Sequence, residues 1–264
     1  MKTITQTICT LLGALTFGLQ AGAQDMDDAV LKNGLNYLNT PYVAHVLDNT
    51  DGREELILNC DELDCQTFVE YVLAESLCPK LENGDISEST FADKVQQLRY
   101  RNGNIDGYAS RLHYVTDWIN NAVRQGILED VTAEKSPATL TVSVNYMSTH
   151  PEQYKPLAHS PENVTKIKEV EQTLDGQQVH YLPEDQLPYN GLSWIKNGDI
   201  IAITTNRPGL DIAHMGIAFY VEGRLTLLHA SQKEGKVCVS TTTLPQMLKN
   251  HEDWTGIRVL RLKL

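Results

Sequence analysis

The sequence predicts an α+β protein in which helices precede an antiparallel sheet. Apolar residues repeat at helical spacing in the first half, most clearly over 65–77, where Pro79 then stops the helix. After Gly198 the pattern changes to short apolar and β-branched runs that are separated by turns. The 264 residues are 41% hydrophobic and 21% charged, so the chain can bury a substantial core.

Three helical regions are expected before the sheet. They cover about residues 25–38, the segment that begins at Cys65, and residues 89–123. Residues 150–197 are rich in proline and lack clean periodicity, which predicts an irregular insertion with short strands. We therefore expect one domain over 24–264, with a helical part to about residue 130 and the sheet from about residue 198.

The predicted sheet is an antiparallel meander, because Glu222-Gly223-Arg224 reads as a tight turn between two strands. The predicted strands are 199–205, 214–221, 225–229, 236–240 and 256–262.

The N-terminus reads as a secretory signal peptide over 1–23. Lys2 is followed by an uncharged apolar run over 8–19 and by the small residues Ala21-Gly22-Ala23. The run is shorter than the ~20 residues that a membrane anchor needs, so no stable membrane insertion is expected. Cys9 would leave with this signal, and the mature protein is expected to be exported, in the periplasm.

Charge and cysteine content limit the remaining possibilities. A net charge of −12 without a basic run disfavours nucleic acid and anionic membranes as partners. Four cysteines follow the predicted signal, and an even number in an exported protein permits disulfides. A structural role in disulfides thus stays open beside a reactive role for one of them. The four are Cys60, Cys65, Cys78 and Cys238.

Cys65 is the candidate nucleophile. A thiol in the first turn of a helix faces free backbone N–H groups and the positive end of the helix dipole, and both favour the thiolate. Asp61, Glu62 and Asp64 oppose this with negative charge, although Asp64 is also placed to cap the helix. A cationic partner, best supplied by histidine, is therefore expected.

His214 and His229 are the candidate partners. His214 begins one predicted strand, His229 ends the next, and the turn at Gly223 brings both to the same open end of the hairpin. His214 would then act as the base and His229 would orient it. Two alternatives remain: ordinary strand histidines in the core or at the sheet edge, and a metal site with a carboxylate, although no His-Glu-x-x-His pair is present.

Five segments, taken in order, resemble the NlpC-type cysteine peptidases and amidases. They are Thr40-Pro41-Tyr42-Val43, Asp64-Cys65-Gln66-Thr67-Phe68-Val69, Asn197-Gly198-Asp199-Ile200-Ile201, His214-Met215-Gly216-Ile217-Ala218 and His229-Ala230-Ser231. The resemblance implies a papain-like fold with the nucleophile helix packed on an antiparallel sheet. It implies Cys65 as nucleophile, His214 as base and His229 as the third polar residue. It also implies a hydroxyl from Tyr42 near the oxyanion, beside the Cys65 backbone N–H, with Asp64 at the same site.

The chain departs from common members in its larger helical insertion and in Cys-Gln-Thr-Phe after Asp64. These features resemble a divergent N-acetylmuramoyl-L-alanine amidase-like branch. That resemblance implies cleavage between muramic acid and L-alanine in muropeptides, with anhydro-muropeptides as substrates. Thioester chemistry requires no metal or organic cofactor, and we expect a monomer. A γ-D-glutamyl-diamino acid endopeptidase and an inactive muropeptide-binding module stay open.

The insertion contributes further candidate substrate-binding residues. On a helix, Arg111, Tyr114 and Trp118 would share one face and present a cation, a phenol and an indole, with His113 beside them. The alternative is an ordinary half-buried helix whose aromatic residues pack the core.

Overall fold

The computed structural model describes residues 29–48, 53–82 and 84–263. The predicted signal peptide and Cys9 lie outside this part of the chain. The α-helices described are α1 (Ala29–Asn36), α2 (Cys65–Leu77), α3 (Glu88–Arg99), α4 (Val115–Arg124), α5 (Val131–Lys135), α6 (Tyr146–Thr149), α7 (Lys155–Ala158), α8 (Pro161–Leu174) and α9 (Leu244–Lys249). The strands are β1 (Leu128–Asp130), β2 (Thr139–Thr141), β3 (Gln178–His180), β4 (Leu182–Pro183), β5 (Ile200–Thr205), β6 (Ile212–Val221), β7 (Arg224–Ser231), β8 (Lys236–Val239) and β9 (Trp254–Leu262).

The main sheet is antiparallel and has the strand order β1-β9-β5-β6-β7-β8, with β4 also pairing β9. The predicted meander is confirmed from β5 to β8. The last strand differs from a simple meander, because β9 returns to pair with β5 on its other side. This return places β5 in the interior of the sheet, which agrees with its nearly continuous burial.

The turn between β6 and β7 has the expected two-residue geometry. Val221 pairs with Arg224, and both intervening residues have positive φ, 50° at Glu222 and 74° at Gly223. This conformation matches the right-handed twist of the two strands, so it fixes their register. The register then determines which residues of β6 and β7 meet near the site.

Apolar side chains pack on both faces of the sheet. On one face, α2 is buried along most of its length and packs with Ile217 of β6 and Leu228 of β7. The other face is covered by a second cluster that includes Leu244 and Leu248 of α9. Burial of the predicted nucleophile helix against the sheet is therefore what holds the N-terminus of α2 at the start of β6.

The helical part and the insertion differ from expectation in two ways. The region 89–123 contains α3 and α4, but residues 100–114 between them are not α-helical. The insertion predicted as irregular contains α8, a 14-residue helix whose Ser160 caps it and whose Pro161 sits at its first position. Ser160-Pro161 is a helix-start signal in the sequence, but the many prolines around it favoured an irregular segment. In the described part of the chain, none of the helices has the length and apolar character needed to cross a bilayer.

Candidate active site

Cys65 opens α2, as the sequence predicts. Asp64 caps this helix: its carboxylate accepts from the Thr67 backbone N–H at 2.8 Å, and its own N–H donates to the Thr67 hydroxyl at 2.9 Å. Such a reciprocal capping box fixes the first turn of a helix. Asp64 is thus first a structural cap that holds the nucleophile position.

The surroundings of the Cys65 thiol favour its neutral form. Backbone N–H groups of Met215, Cys65 and Gln66 bond to the sulfur and lower the pKa of the thiol. Burial and the Asp64 charge act in the other direction and win, raising the pKa of Cys65 to about 12. The helix N-terminus favours the thiolate, as the sequence predicts, but desolvation and the Asp64 charge outweigh it.

His214 and His229 meet as the sequence predicts. Nε2 of His214 lies 2.7 Å from Nδ1 of His229, and the two rings are nearly perpendicular, with an interplanar angle of 83°. Burial lowers the pKa of His214 to about 3, helped by the charges of His229 and His251, and lowers the pKa of His229 to about 4. Both rings are neutral near pH 7, so one of the two nitrogens donates to the other, and the tautomer sets which one.

The strand geometry explains this contact. Ile217 pairs with Leu228, so the register carries His229 opposite Gly216, two residues from His214 on the same face. Ala213 is the extra residue of a bulge, because Ile203 pairs with His214 and Thr204 with Ile212. A β-bulge beside an active site changes the direction in which the neighbouring side chain points, and here that side chain is His214.

Cys65 and His214 line one cavity of about 210 Å³. The helix start contributes Cys65 and Gln66, and the start of β6 contributes Ala213, His214 and Met215. The fold therefore brings the predicted nucleophile and base to one concave surface. In the described residues, the hydrogen bond of the His214 ring goes to His229 and not to Cys65.

Tyr42 lies close enough to Cys65 for the two side chains to interact electrostatically. Burial raises the pKa of Tyr42 to about 12, with further contributions from the charges of Cys65 and Asp64. Its hydroxyl therefore remains a hydrogen-bond donor throughout the working pH range. A pairing of Tyr42 with Leu63, two residues before the nucleophile helix, holds it there.

The insertion residues are divided between the cavity and the interior. His113 and Tyr114 line the cavity. The shared helical face predicted for Arg111, Tyr114 and Trp118 is wrong, because α4 begins only at Val115. Trp118 is fully buried in the core and presents no surface to a ligand.

Arg111 is also committed to the interior. It is 7% exposed, pairs with Glu54 at 3.3 Å, and donates to the Leu47 carbonyl at 3.1 Å. Its guanidinium also lies over the ring of Tyr108, 5.0 Å from the centroid. These contacts explain why Arg111 does not line the cavity and why the prediction that it binds substrate there is wrong.

Sequence reasoning missed two groups at the site. Asp211 lines the cavity three residues before His214. Trp254, at the start of β9, stacks on His214 with ring centroids 6.1 Å apart and on His251 with centroids 3.9 Å apart. No local sequence pattern predicts that either residue lies at the site. The position of Trp254 depends on the return of β9 to the sheet.

Cysteine pairing and metal ligands were the competing interpretations. Cys60, Cys65, Cys78 and Cys238 are all free thiols. Over the described ranges, no three His, Cys, Asp or Glu side chains are grouped so that they would hold a metal ion. The disulfide interpretation of Cys65 is therefore wrong for this structure.

Comparison with known proteins assigns the chain to a family. Residues 32–257 match the family model described as N-acetylmuramoyl-L-alanine amidase-like. No match was found among curated proteins. A solved Bacteroides uniformis ATCC 8492 structure named N-acetylmuramoyl-L-alanine amidase shares 63% identity, with a TM-score of 0.88, covering 89% of this chain and 99% of that one.

Two further structures are similar. A Bacteroides fragilis protein that carries the provisional name xylanase is 61% identical, with a TM-score of 0.85, covering 88% of this chain and all of that one. A Legionella pneumophila protein at 23% identity has a TM-score of 0.67 over 90% of this chain and 89% of its own, and it shares the fold. The family match spans most of the sequence, and the chain belongs to the N-acetylmuramoyl-L-alanine amidase-like family.

Proposed function

We propose that this protein is a cysteine-dependent amidohydrolase that cleaves the amide between N-acetylmuramic acid and L-alanine in muropeptides. The observation that carries the proposal is the common cavity of Cys65 and His214, with His214 bonded to His229. The family match and the amidase name of the Bacteroides uniformis structure support the choice of bond. The helix start, the strand histidine and the hairpin partner also support an NlpC-type, papain-like fold.

The chemistry begins from a neutral pair. Cys65 Sγ attacks the muramoyl carbonyl carbon while its proton passes to Nδ1 of His214, and a tetrahedral intermediate forms. His214 returns this proton to the leaving amine of L-alanine, and the C–N bond breaks to give a thioester. Water then attacks the thioester carbonyl while His214 takes one of its protons, and the C–S bond breaks to release N-acetylmuramic acid. His214 returns this proton to the Cys65 sulfur.

Three neighbouring groups assist these steps. In the proposed tautomer, Nε2–H of His214 donates to Nδ1 of His229, which leaves Nδ1 of His214 to accept the thiol proton. The Tyr42 hydroxyl and the Cys65 backbone N–H are the proposed donors to the oxyanion. Asp64 contributes by holding the first turn of α2 rather than by binding substrate.

We also propose that the mature protein acts on peptidoglycan fragments in the periplasm, as a monomer, after removal of residues 1–23. The sequence pattern of the N-terminus supports the location, and the family supports the substrate class. Soluble fragments, including anhydro-muropeptides, are the proposed substrates rather than the intact wall.

Digestion of defined muropeptides tests the proposal. Wild type should release N-acetylmuramic acid and a peptide with L-alanine at its N-terminus, whereas Cys65→Ala and His214→Ala should lose at least about 100-fold in rate. The exposed His159→Ala variant is the matched histidine control and should keep full activity. The cleavage rates of two muropeptides that differ only in a reducing or an anhydro muramic acid, compared at equal concentration, show which form of the sugar the enzyme prefers.

The alternative functions would each give a different result in this assay. A fragment in which L-alanyl-D-glutamate stays on the sugar identifies the endopeptidase. Tight muropeptide binding that survives Cys65→Ala without turnover identifies a binding module. Release of xylose from xylan, which we expect not to occur, would favour the name of the Bacteroides fragilis neighbour.

A further inference from the structure

Trp254 stacks on the His214 ring without taking part in the cavity. The indole and the imidazole are nearly parallel, with an interplanar angle of 10° and ring centroids 6.1 Å apart. This separation lies in the range of about 4.5–7 Å at which offset parallel rings interact. His214 lines the cavity with Cys65, whereas Trp254 is not among the described residues of the cavity wall. The contact of Trp254 with the site therefore runs through His214.

The indole is itself held in place by the turn that follows α9. The His251 ring stacks on it, with centroids 3.9 Å apart and an interplanar angle of 14°, and the Trp254 N–H donates to the His251 carbonyl at 3.1 Å. The Asp253 carbonyl accepts from the Thr205 hydroxyl at 2.8 Å, which ties the turn to the end of β5. Trp254 also packs on the apolar cluster under α9. These contacts give the indole a fixed position beside His214.

The end of β5 carries both rings. Ile203 pairs with His214 on one side of this strand, and Thr205 pairs with Trp254 on the other. The register shifts in both pairings, between Ile203 and Thr204 toward β6 and between Thr204 and Thr205 toward β9. Irregularities of this kind change the direction of the neighbouring side chains. One strand end thus sets the positions of the imidazole and the indole together.

A single hydrogen bond does not fix the plane of the His214 ring. The bond between Nε2 of His214 and Nδ1 of His229 holds one ring atom and leaves the ring able to tilt about it. A parallel aromatic ring limits this tilt and keeps water from the imidazole. We propose that Trp254 is a positioning residue, which holds the plane of His214 toward the Cys65 sulfur and shields its ring from water. The inference rests on the proposed function and adds to it a residue that acts through the base.

Alkylation of Cys65 by iodoacetamide tests this role without any muropeptide, and peptide mass spectrometry separates Cys65 from the other cysteines. A neutral thiol reacts as its base takes the proton, so the rate at pH 7.5 reports on His214. Trp254→Leu keeps an apolar side chain on the cluster but removes the flat ring, and should slow alkylation roughly tenfold. Trp254→Phe keeps a flat ring and should stay within about threefold of wild type.

Trp194→Leu is the matched control for these variants. Trp194 is a partly buried tryptophan on the same apolar cluster, and it is not among the described residues of the cavity wall. Its replacement should leave the alkylation rate of Cys65 unchanged. Equal rates for Trp254→Phe and Trp254→Leu would overturn the proposal, because the flat ring would then have no effect.

A double-mutant cycle separates positioning of the base from a general loss of structure. In a His214→Ala background there is no base to position, so Trp254→Leu should change the alkylation rate of Cys65 by less than about twofold. An equal loss of rate in both backgrounds would show that the effect does not pass through His214, and the proposal would be wrong. A His214→Ala rate equal to that of wild type would have the same consequence.

The pH profile of alkylation gives a readout that a structural role would not move. Burial is the main reason why the pKa of His214 is lowered to about 3, so water in place of the indole in Trp254→Ala should raise this pKa toward 6.5. A protonated His214 cannot accept the thiol proton. The rate should therefore fall roughly fivefold from pH 7.5 to pH 5 in Trp254→Ala and less than about twofold in wild type. Parallel profiles would overturn the proposal. The other titratable side chains around His214 are the same in both proteins: Cys65, His113, Asp211, His229 and His251.

The last test links this contact to turnover. With a muropeptide as substrate, Trp254→Leu should lower kcat roughly tenfold and change KM by less than about twofold, because the indole acts on the base and not on the substrate. A rise in KM with unchanged kcat would assign Trp254 to substrate binding and overturn the positioning role. If wild type fails to cleave any muropeptide, the proposed function fails, while the alkylation cycle of Trp254 and His214 still decides the role of Trp254.

Discussion

At the scale of single residues, the reactive pair is uncharged at rest. The pKa of Cys65 is raised to about 12 and that of His214 is lowered to about 3, so a thiolate and an imidazolium are both disfavoured before substrate binds. Burial is the largest cause for both groups, so in the proposed mechanism the sulfur stays a thiol until substrate binds. Proton transfer to His214 must then accompany attack on the carbonyl.

The neutral pair is visible by ultraviolet absorbance. The thiolate band near 240 nm, taken as the difference between wild type and Cys65→Ser, should show no step between about pH 4 and pH 9 and should rise only in more alkaline solution. A step in the acidic range that disappears in His214→Ala would show an ion pair instead and would contradict the burial argument.

In the proposed mechanism, His229 acts through His214 and not on the substrate. His229→Ala removes the acceptor of the His214 Nε2–H and should lower kcat roughly 100-fold with little change in KM, because only the orientation and tautomer of the base are lost. His229→Asn offers an oxygen near the position of Nδ1 and should recover most of this loss. Equal kcat values for the two variants would show that the hydrogen bond is not what matters.

At the scale of elements, the start of α2 couples helix stability to thiol reactivity. Asp64 caps the helix and also raises the pKa of Cys65. Asp64→Ala should reduce the free energy of unfolding by ~1 kcal/mol, whereas Asp64→Asn, which keeps a capping oxygen, should cost only a few tenths.

Both Asp64 variants remove the carboxylate, so both should lower the pKa of Cys65 and speed its alkylation at pH 9. Urea unfolding and alkylation rates measure the two effects separately. A large loss of stability in Asp64→Asn would mean that the charge, and not the cap, holds the helix.

The elements that sequence patterns could predict are those whose signals are local. The helix opened by Cys65, the turn at Gly223 and the meeting of His214 with His229 all follow from nearby periodicity and turn chemistry, and all three are confirmed. The position of Arg111 required the assumption that a helix extends back from Trp118, and the actual start at Val115 removed it from the site. Asp211 reaches the cavity through tertiary packing, which no local pattern records.

At the scale of the whole molecule, neutral buried histidines make stability depend on pH. The pKa values of His113, His214 and His229 are lowered to about 3, about 3 and about 4, from an ordinary value of 6.5. Below that ordinary value the unfolded chain binds protons that the folded chain does not. Their stabilising contribution is therefore complete above about pH 6.5 and is lost as the pH falls toward 3.

The contribution of His113 to this pH dependence of stability can be measured with His113→Gln, which keeps a donor for the Tyr108 carbonyl. Between about pH 6 and pH 4, the free energy of unfolding should fall less steeply in this variant than in wild type, by ~1.4 kcal/mol per pH unit. The exposed His159→Gln variant should match the wild-type slope. Parallel slopes for His113→Gln and wild type would mean that His113 is protonated in the folded state.

The central claim is that Cys65 carries the acyl half of a muropeptide during turnover. Acid quenching of wild type a few milliseconds after mixing with a muropeptide, followed by peptide mass spectrometry, reads this directly. We predict an adduct with the mass of the N-acetylmuramoyl group on the peptide that contains Cys65. Turnover without any adduct on Cys65, or an adduct that includes L-alanyl-D-glutamate, would contradict the account.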